Sequence, residues 1–373
     1  MTIETTEELA AVAELAREIG TEILAPAARQ AEADCAVPEL AWKTLLETGL
    51  IVPLSEENGG GGIPDARTQV VALEHLAYGD AGITVAAFWS GAAALLLSRH
   101  GRNEQVQMAI ALSNNPVARG AVALYEGYGR APSEFTTSIS TTAEGTLRVL
   151  GRKVGVAFGS IAEPLIVIGV AEDTHTLQAV LVPTDHPGVT VDHAATNLGL
   201  NASSTVTLNI DVTVPASNLV GTGENALSTR LETTVSRIRL ALAAVQIGAA
   251  QRAIDYAANY AVDRVAFGRP IASFQGVSFP LAEAQMRIDQ ARLEIADVAD
   301  ALDSDETTNC ENAIGWAVNH ASEVAAEASR TGVQTLGGHG FITDHPSEMW
   351  YRVTAALSTL DFDPIKSTFQ PAV

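Results

Sequence analysis

The sequence predicts an α+β chain in three parts: an N-terminal helical domain, a middle antiparallel β-domain and a C-terminal four-helix bundle. Helical periodicity of apolar residues fills the first third, short β-branched segments fill the middle, and long proline-free apolar seams return after Asn225. A chain of 373 residues is long enough for two or three packed units. We place the domains at residues 1–118, 119–218 and 219–373.

The first third has a helical pattern with few interruptions. The segment EELAAVAELAREIGTEILAPAARQA is broken at Pro26, and PELAWKTLLETGL begins on a proline suited to the first turn of a helix. The composition of SEENGGGGIPD predicts a loop. Helices resume in ARTQVVALEHLAYGD and AGITVAAFWSGAAALLLSRHG. These segments predict the N-terminal helical domain.

The pattern changes near Gly120. The segments TLRVLGRKVGVAF, PLIVIGVAE, LQAVLVPTD and STVTLNIDVTVP are short, rich in β-branched residues and divided by turn residues. They predict an antiparallel β-domain that ends near Pro215.

Three long helices are predicted next, each with a row of apolar residues, or seam, along one face. A third helix is expected from about Glu311 to Leu336, after two with apolar residues at steps of three and four. The seam residues of the first two are Ile238, Leu242, Val245, Ala249, Ile254, Ala258, Ala261 and Val265, and then Val277, Leu281, Ala284, Ile288, Ala291, Ile295, Val298 and Leu302. Such seams are typical of a helical bundle.

Charge and cysteine content exclude several function classes. A formal charge of −22 offers no basic patch for nucleic acid or an anionic membrane surface. We find no stretch that approaches the roughly 20 uninterrupted apolar residues of a bilayer span, and the acidic N-terminus is unlike a signal peptide. We therefore expect a cytoplasmic protein. Cys35 and Cys310 form no CxxC pair, and His339, His345 and Glu348 follow no zinc spacing, so no metal site is predicted.

Two motifs in the C-terminal part carry the functional signal. The segment DRVAFGRPIASFQGVSFPLAE contains Arg-x-x-Phe-Gly-x-x-Ile-x-x-x-Gln, which begins at Arg264, and TGVQTLGGHGF contains Gln-x-x-Gly-Gly-x-Gly-Phe, which begins at Gln334. Together, and in this order of domains, they resemble the acyl-CoA dehydrogenase family of flavoproteins. The resemblance extends over nearly the whole chain, including EENGGGGIPD and LEHLAYGDAGI.

The resemblance implies FAD as the cofactor and assigns its binding residues. An anionic pyrophosphate and an adenosine call for a guanidinium, amide side chains and exposed main-chain N–H groups. In the family these groups reach across a subunit interface to the FAD of the neighbouring subunit. The residues at the matching positions are Arg264, Phe267, Gln275, Gln334, Gly337 and Gly338.

The residues that the family uses for catalysis are absent at the expected positions, so we predict no catalytic residue in this chain. The family's base is a glutamate in one of two places. One place corresponds to Asp361, which is followed by Phe-Asp-Pro instead of Gly-Thr, and the other corresponds to Ile238, which cannot accept a proton. Where the family has Thr-Glu-Pro and Trp-Ile-Thr or Trp-Ile-Ser against the flavin ring, this chain has Tyr125-Glu126-Gly127 and Gly155-Val156-Ala157.

This asymmetry predicts a heteromeric enzyme. The half-site for a neighbour's FAD is intact, while the half-site for this chain's own flavin ring is altered. We expect a paralogous catalytic subunit in an α2β2 complex that dehydrogenates an acyl-CoA, by analogy with the steroid-CoA dehydrogenases of actinobacteria. Two alternatives stay open: a self-sufficient homotetramer with Asp361 as base, and a non-catalytic scaffold that binds acyl-CoA or stabilises a partner.

Overall fold

The computed structural model describes residues 6–54, 63, 65–127, 130, 134–193, 197–221, 225–304 and 310–360. Within these residues the predicted order of helices, sheet and helices is confirmed. One apolar core runs through both helical parts, and a second, smaller core lies within the sheet.

Helices fill the first part of the chain. The first begins at Thr6, whose side chain accepts a hydrogen bond from the Leu9 N–H at 3.2 Å. It continues through one π-helical segment into α2. Pro26 lies in the first turn of α2 and therefore does not interrupt the helical run. The elements are α1 (Glu7–Ile19), the π segment (Gly20–Leu24), α2 (Ala25–Asp34), α3 (Glu39–Glu47), α4 (Ala66–Gly79), α5 (Ala81–His100) and α6 (Asn103–Ser113).

Helix α5 corrects one sequence expectation. In the described part of the chain, this one helix has the length and hydropathy of a membrane span. However, 89% of its most apolar window is buried inside the protein, so α5 is a core helix. Asp80 caps it by accepting a hydrogen bond from the Ile83 N–H at 2.7 Å, and burial raises the pKa of this carboxyl to about 7.

The middle part is a seven-stranded sheet that is mixed, and the prediction of an antiparallel sheet is wrong for two pairings. Strands β1 and β2 both run parallel to β4, at Leu165–Val167 and at 170–171 respectively, while the other pairs are antiparallel. An alternating pattern identifies a strand but not the direction of its neighbour. The strands are β1 (Ala121–Ala123), β2 (Ser138–Thr141), β3 (Leu147–Val156), β4 (Leu165–Ala171), β5 (Leu177–Val182), β6 (Val189–His193) and β7 (Val206–Val214).

The C-terminal part is a helical bundle, as predicted. A short hairpin of β8 (Val265–Ala266) and β9 (Arg269–Pro270) connects the first two long helices, so the first seam ends before Val265, which is exposed in the hairpin. Helix α7 packs against α4, α8 and α9. The chain reverses after each long helix, so the end of α7, the start of α8 and the end of α9 meet at one end of the bundle. The helices are α7 (Asn225–Asp263), α8 (Gln275–Asp303), α9 (Cys310–Leu336) and α10 (Ser347–Leu357).

Glycines allow α4 to approach its neighbours closely. A Cβ atom on Gly79 would lie 1.9 Å from the Gly20 carbonyl oxygen, and one on Gly248 would lie 2.1 Å from the Glu74 carbonyl oxygen. Backbone atoms occupy the space that a side chain would need at both crossings. Helix α4 therefore ties the N-terminal helices to the bundle through contacts that only glycine permits.

We expect Gly79→Ala to lower the free energy of unfolding by about 1–3 kcal/mol, because the π segment and α4 must separate to admit a methyl group. Chemical denaturation measures the change. Gly276→Ala is the matched control, since no atom lies within 4 Å of its Cβ position, and it should be neutral or slightly stabilising. Equal stability of the two variants would contradict the close crossing.

Candidate functional site

The six residues predicted to bind FAD lie on exposed surface at one end of the bundle, and we call this set the clasp. It consists of Arg264, Phe267, Gln275, Gln334, Gly337 and Gly338. The hydroxyl of Tyr260, in the last turn of α7, lies 2.8 Å from Nδ1 of His339. This contact joins the end of α7, which leads into the hairpin, to the Gly337–Phe341 turn.

The hairpin holds Arg264 and Phe267 by backbone bonds. The Arg264 N–H donates to the Tyr260 carbonyl at 2.9 Å, and its own carbonyl accepts from the Ile271 N–H at 2.8 Å. Phe267 and Gly268 form the turn with φ of 53° and 81°, which are the signs of a type I′ turn. Such a φ is strained for phenylalanine, and strain of this kind collects at functional positions. The turn leaves the Phe267 ring 95% exposed.

The polar side chains of the clasp have no hydrogen-bond or ion-pair partner among the described residues. Among the described residues, the Arg264 guanidinium has no ion pair, and neither it nor the amides of Gln275 and Gln334 have a hydrogen-bond partner. The backbone of Gly337 and Gly338 is open, with no atom within 4 Å of either Cβ position. The clasp thus offers one cation, two amides and bare main chain, which fits an anionic nucleotide.

A cluster of histidine and tyrosine side chains supports the clasp, and the sequence did not predict it. His339 and His345 stack with ring centroids 5.4 Å apart. The Tyr256 hydroxyl lies 2.7 Å from Nδ1 of His345, and the Tyr260 hydroxyl lies 2.8 Å from Nδ1 of His339. The signal in the sequence is the spacing of the two tyrosines, four residues apart on one helical face. Within the described residues, no group of three or more His, Cys, Asp or Glu side chains is placed to hold a metal.

The second candidate site is a cavity of about 410 Å³ between the sheet, α5 and α10. Trp89 and Tyr125 form part of its wall, in edge contact at 5.9 Å. None of the described residues that line it carries a charge. They are Val85, Trp89, Tyr125, Gly127, Val154, Gly155, Asn197, Leu198, Gly199, Leu200, Ser203, Thr205, Ala355, Ala356, Thr359 and Leu360.

The cavity contains both positions that sequence reasoning identified as altered. The register of β3 against β7 shifts between Lys153 and Val156, and within this bulge Gly155 has φ of 62°. No atom lies within 4 Å of its Cβ position, so the cavity has room there. Among the described lining residues, the side chains with a polar atom are Trp89, Tyr125, Asn197, Ser203, Thr205 and Thr359. The cavity therefore accepts a flat, largely apolar group, and its wall also carries hydroxyl, amide and indole groups that can meet polar atoms of a ligand.

A buried ion pair lies beside the Tyr125 wall. Lys153 Nζ donates to Glu126 Oε1 at 3.0 Å and to the Leu124 carbonyl at 2.9 Å, with both charged side chains almost fully buried. Burial alone would raise the pKa of Glu126, but Lys153 and the hydrogen bonds from Thr136 and Thr137 lower it to about 2. Burial lowers the pKa of Lys153 to about 8 despite the attraction of Glu126. The pair is ionised near neutral pH and fixes the start of the 125–127 segment.

The two positions considered for the catalytic base lie in different places relative to the cavity. Ile238 is fully buried in the main core and does not line the cavity. Asp361 lies outside the described residues. Leu360, the residue before it, lines the cavity.

We expect Glu126→Gln to cost about 3–5 kcal/mol of stability, because the Lys153 ammonium then lies buried without its counter-charge. Burial holds the pKa of Lys153 in the folded protein below its unfolded value of 10.5, so folding favours the neutral amine. The penalty for burying the ammonium is therefore largest at low pH and disappears above pH 10.5. The variant should therefore gain stability as pH rises from about 7 towards 10. Urea unfolding across this range measures the effect.

Glu144→Gln is the matched control, since Glu144 is exposed in the turn between β2 and β3 of the same sheet. It should leave both stability and its pH dependence unchanged. A Glu126→Gln variant that behaved in the same way would show that the buried pair contributes nothing.

Comparison with known proteins agrees with the fold. The family profile described as acyl-CoA dehydrogenase, N-terminal domain, matches residues 6–111, and that of the C-terminal domain matches residues 229–361. The probable acyl-CoA dehydrogenase YngJ of Bacillus subtilis is 31% identical, over 94% of this chain and 93% of that protein. The mitochondrial short-chain specific acyl-CoA dehydrogenase of Rattus norvegicus is 29% identical, over 90% and 82%.

Solved structures share the fold over almost the full length. Butyryl-CoA dehydrogenase from Megasphaera elsdenii superposes with a TM-score of 0.84 at 25% identity, covering 98% of this chain and 97% of that one. The FAD complex of PigA superposes with a TM-score of 0.86 at 19% identity, covering 99% and 98%.

Proposed function

Because this chain belongs to the acyl-CoA dehydrogenase family, we propose that it is one subunit of a heteromeric, FAD-dependent acyl-CoA dehydrogenase. FAD is the cofactor of the family, as the sequence predicted. In this proposal the clasp holds the pyrophosphate and adenosine end of an FAD whose ring lies in a paralogous catalytic subunit. The complex is an α2β2 heterotetramer of the cytoplasm, and its substrate is the CoA thioester of a sterol side chain.

The observation that supports the proposal is that the polar side chains of the clasp, those of Arg264, Gln275 and Gln334, have no partner among the described residues. Water solvates this guanidinium and these two amides, and no described residue of the chain binds them, so a ligand or a neighbour can take up their hydrogen bonds without breaking a contact within the described chain. Arg264 matches a phosphate as a two-pronged donor, and the open backbone at Gly337 and Gly338 lets a nucleotide lie against main chain. The strained, exposed Phe267 presents an aromatic face beside them.

The chemistry of dehydrogenation supports dividing cofactor binding and proton removal between two subunits. The bound flavin supplies the acceptor for the hydride that leaves the β-carbon. Removal of the α-proton needs a carboxylate beside the substrate, and none of the described residues that line the cavity is a carboxylate. In the proposal this chain therefore contributes binding and positioning, while the catalytic subunit contributes the base.

A specific observation favours the self-sufficient alternative as second candidate. The cavity of about 410 Å³ has room at Gly155 and extends to Leu360, directly before Asp361. A chain that bound its own flavin ring there, with Asp361 as base, would work as a homotetramer.

We expect Arg264→Ala to weaken FAD binding by the complex about tenfold to a hundredfold, because a charged hydrogen bond contributes about 1.5–3 kcal/mol. Flavin absorbance and equilibrium dialysis of the complex measure the loss. Arg148→Ala is the matched control, since Arg148 pairs with Asp211 on the exposed face of the sheet. Unchanged FAD affinity in Arg264→Ala would favour a scaffold that does not touch the cofactor.

Expression of the chain alone separates the two candidates. We expect colourless protein that acquires FAD only with its catalytic partner, and a complex in which Asp361→Asn leaves turnover nearly intact. Yellow protein that acyl-CoA bleaches in the absence of a partner, with bleaching lost in Asp361→Asn, would instead establish the homotetramer.

A further inference from the structure

A larger cavity, of about 660 Å³, lies between the start of α6, the loop that joins β3 to β4, and the end of β5. We call it the α6 cavity. Among the described residues, those that line it neither belong to the clasp nor line the cavity beside Gly155. Its volume falls within the roughly 300–1,000 Å³ that is typical of small-molecule sites. The proposed function makes no use of this cavity.

Hydrogen bonds between the surrounding elements fix the walls of the α6 cavity. The buried amide of Gln105 on α6 donates to the Leu219 carbonyl at 2.9 Å, and the Asn218 amide donates to the Leu181 carbonyl of β5 at 2.8 Å. The segment 216–219 is therefore bound to α6 on one side and to the sheet on the other. A cavity whose walls are held in this way is formed before a ligand arrives.

The α6 cavity has an apolar lining. Its rim includes Ile161, which is 65% exposed, and Met108, which is 37% exposed. Burial of such side chains against an apolar ligand is favourable. The deeper lining residues are apolar and buried; they are Ala162, Pro164, Leu165 and Val182.

Three carboxylates surround the cavity, one from each element that forms it. Glu104 lies in the first turn of α6, Glu163 in the loop between β3 and β4, and Asp185 after the end of β5. All three residues are exposed, and none of the three carboxylates has an ion pair or a hydrogen bond among the described residues. The cation among the described lining residues is Arg102, whose guanidinium already donates to the Ser217 carbonyl. Three carboxylates and one guanidinium leave the cavity negative.

This charge decides which class of ligand the cavity accepts. FAD and acyl-CoA carry phosphate groups, which three carboxylates without a counter-charge repel. A cation gains from the same carboxylates, and charged hydrogen bonds of this kind are stronger than neutral ones. The apolar lining requires that the cation also carry an apolar part.

We propose that the α6 cavity binds a small organic cation, a protonated amine joined to an apolar chain or ring. The ammonium group lies among the carboxylates of Glu104, Glu163 and Asp185, and the apolar part lies against the buried lining. The volume of the cavity favours a free small molecule over a segment of another protein. This site is separate from the clasp and does not depend on the proposed function.

Isothermal titration calorimetry of the full-length chain with octylammonium, octanol and octanoate tests the proposal. The three probes have chains of the same length and differ in the charge of the head group. We expect octylammonium to bind about tenfold more tightly than octanol, because it gains up to three exposed ion pairs, and octanoate to bind most weakly.

A triple variant with Glu104→Gln, Glu163→Gln and Asp185→Asn removes the charge and keeps the shape of the cavity. It should weaken octylammonium binding about tenfold and leave octanol binding unchanged. Ile161→Ser should weaken the binding of both probes, because it removes apolar contact at the rim.

The matched control removes three exposed carboxylates from turns at the other end of the sheet. These turns follow β2 and β4, whereas the paired residues Leu165 and Val182 lie beside the cavity. The control substitutions change the net charge equally and should leave octylammonium binding unchanged; they are Glu144→Gln, Glu172→Gln and Asp173→Asn. Circular dichroism confirms folding, and Glu163→Gln with Glu172→Gln as control replaces the triple variants if either unfolds.

Two results would overturn the proposal. One is a wild-type chain that does not bind octylammonium, even if it binds a lysine-containing peptide, because the occupant would then be a protein segment. The other is an equal octylammonium affinity in the two triple variants, which would show that the probe responds to the general charge of the chain and not to this cavity.

Discussion

The antiparallel packing of α7, α8 and α9 is the constraint on which the clasp depends. Arg264 and Gln334 are seventy positions apart in the sequence, and their segments share one surface only because the long helices return the chain to the same end. Tyr260 then fixes the exit of α7 against the Gly337–Phe341 turn through His339. The clasp side chains have no partner among the described residues, but the backbone that carries them is fixed by the bundle and the hairpin, so binding has to order only the side chains.

Much of this arrangement could be predicted from the sequence because it follows local rules. Apolar steps of three and four located the long helices, and the Phe267-Gly268 pair occupies a two-residue turn whose geometry glycine favours. The parallel pairings of β1 and β2 with β4 could not be predicted, because strand direction is set by tertiary packing. The apolar run of α5 was underestimated as a possible span, and burial by its neighbours, which no local pattern encodes, identifies it as a core helix.

The candidate sites divide in the same way. The clasp residues were identified by motif, and their exposure adds that they are free to bind. The stacking of His339 on His345 was not predicted, because the two tyrosine partners of this pair come from a helix about 80 positions earlier. The cavity near Gly155 was treated as a set of lost contacts, yet the bulge in β3 leaves an apolar space there. Sequence comparison shows which side chains have changed but does not measure the space that they leave.

The most direct measurement is a structure of the purified assembly with FAD bound. The account predicts an isoalloxazine ring inside the partner subunit, with the guanidinium of Arg264 at the pyrophosphate and no flavin ring in this chain's cavity. A ring seated between Tyr125 and Gly155, with the Asp361 carboxylate beside the thioester, would contradict it.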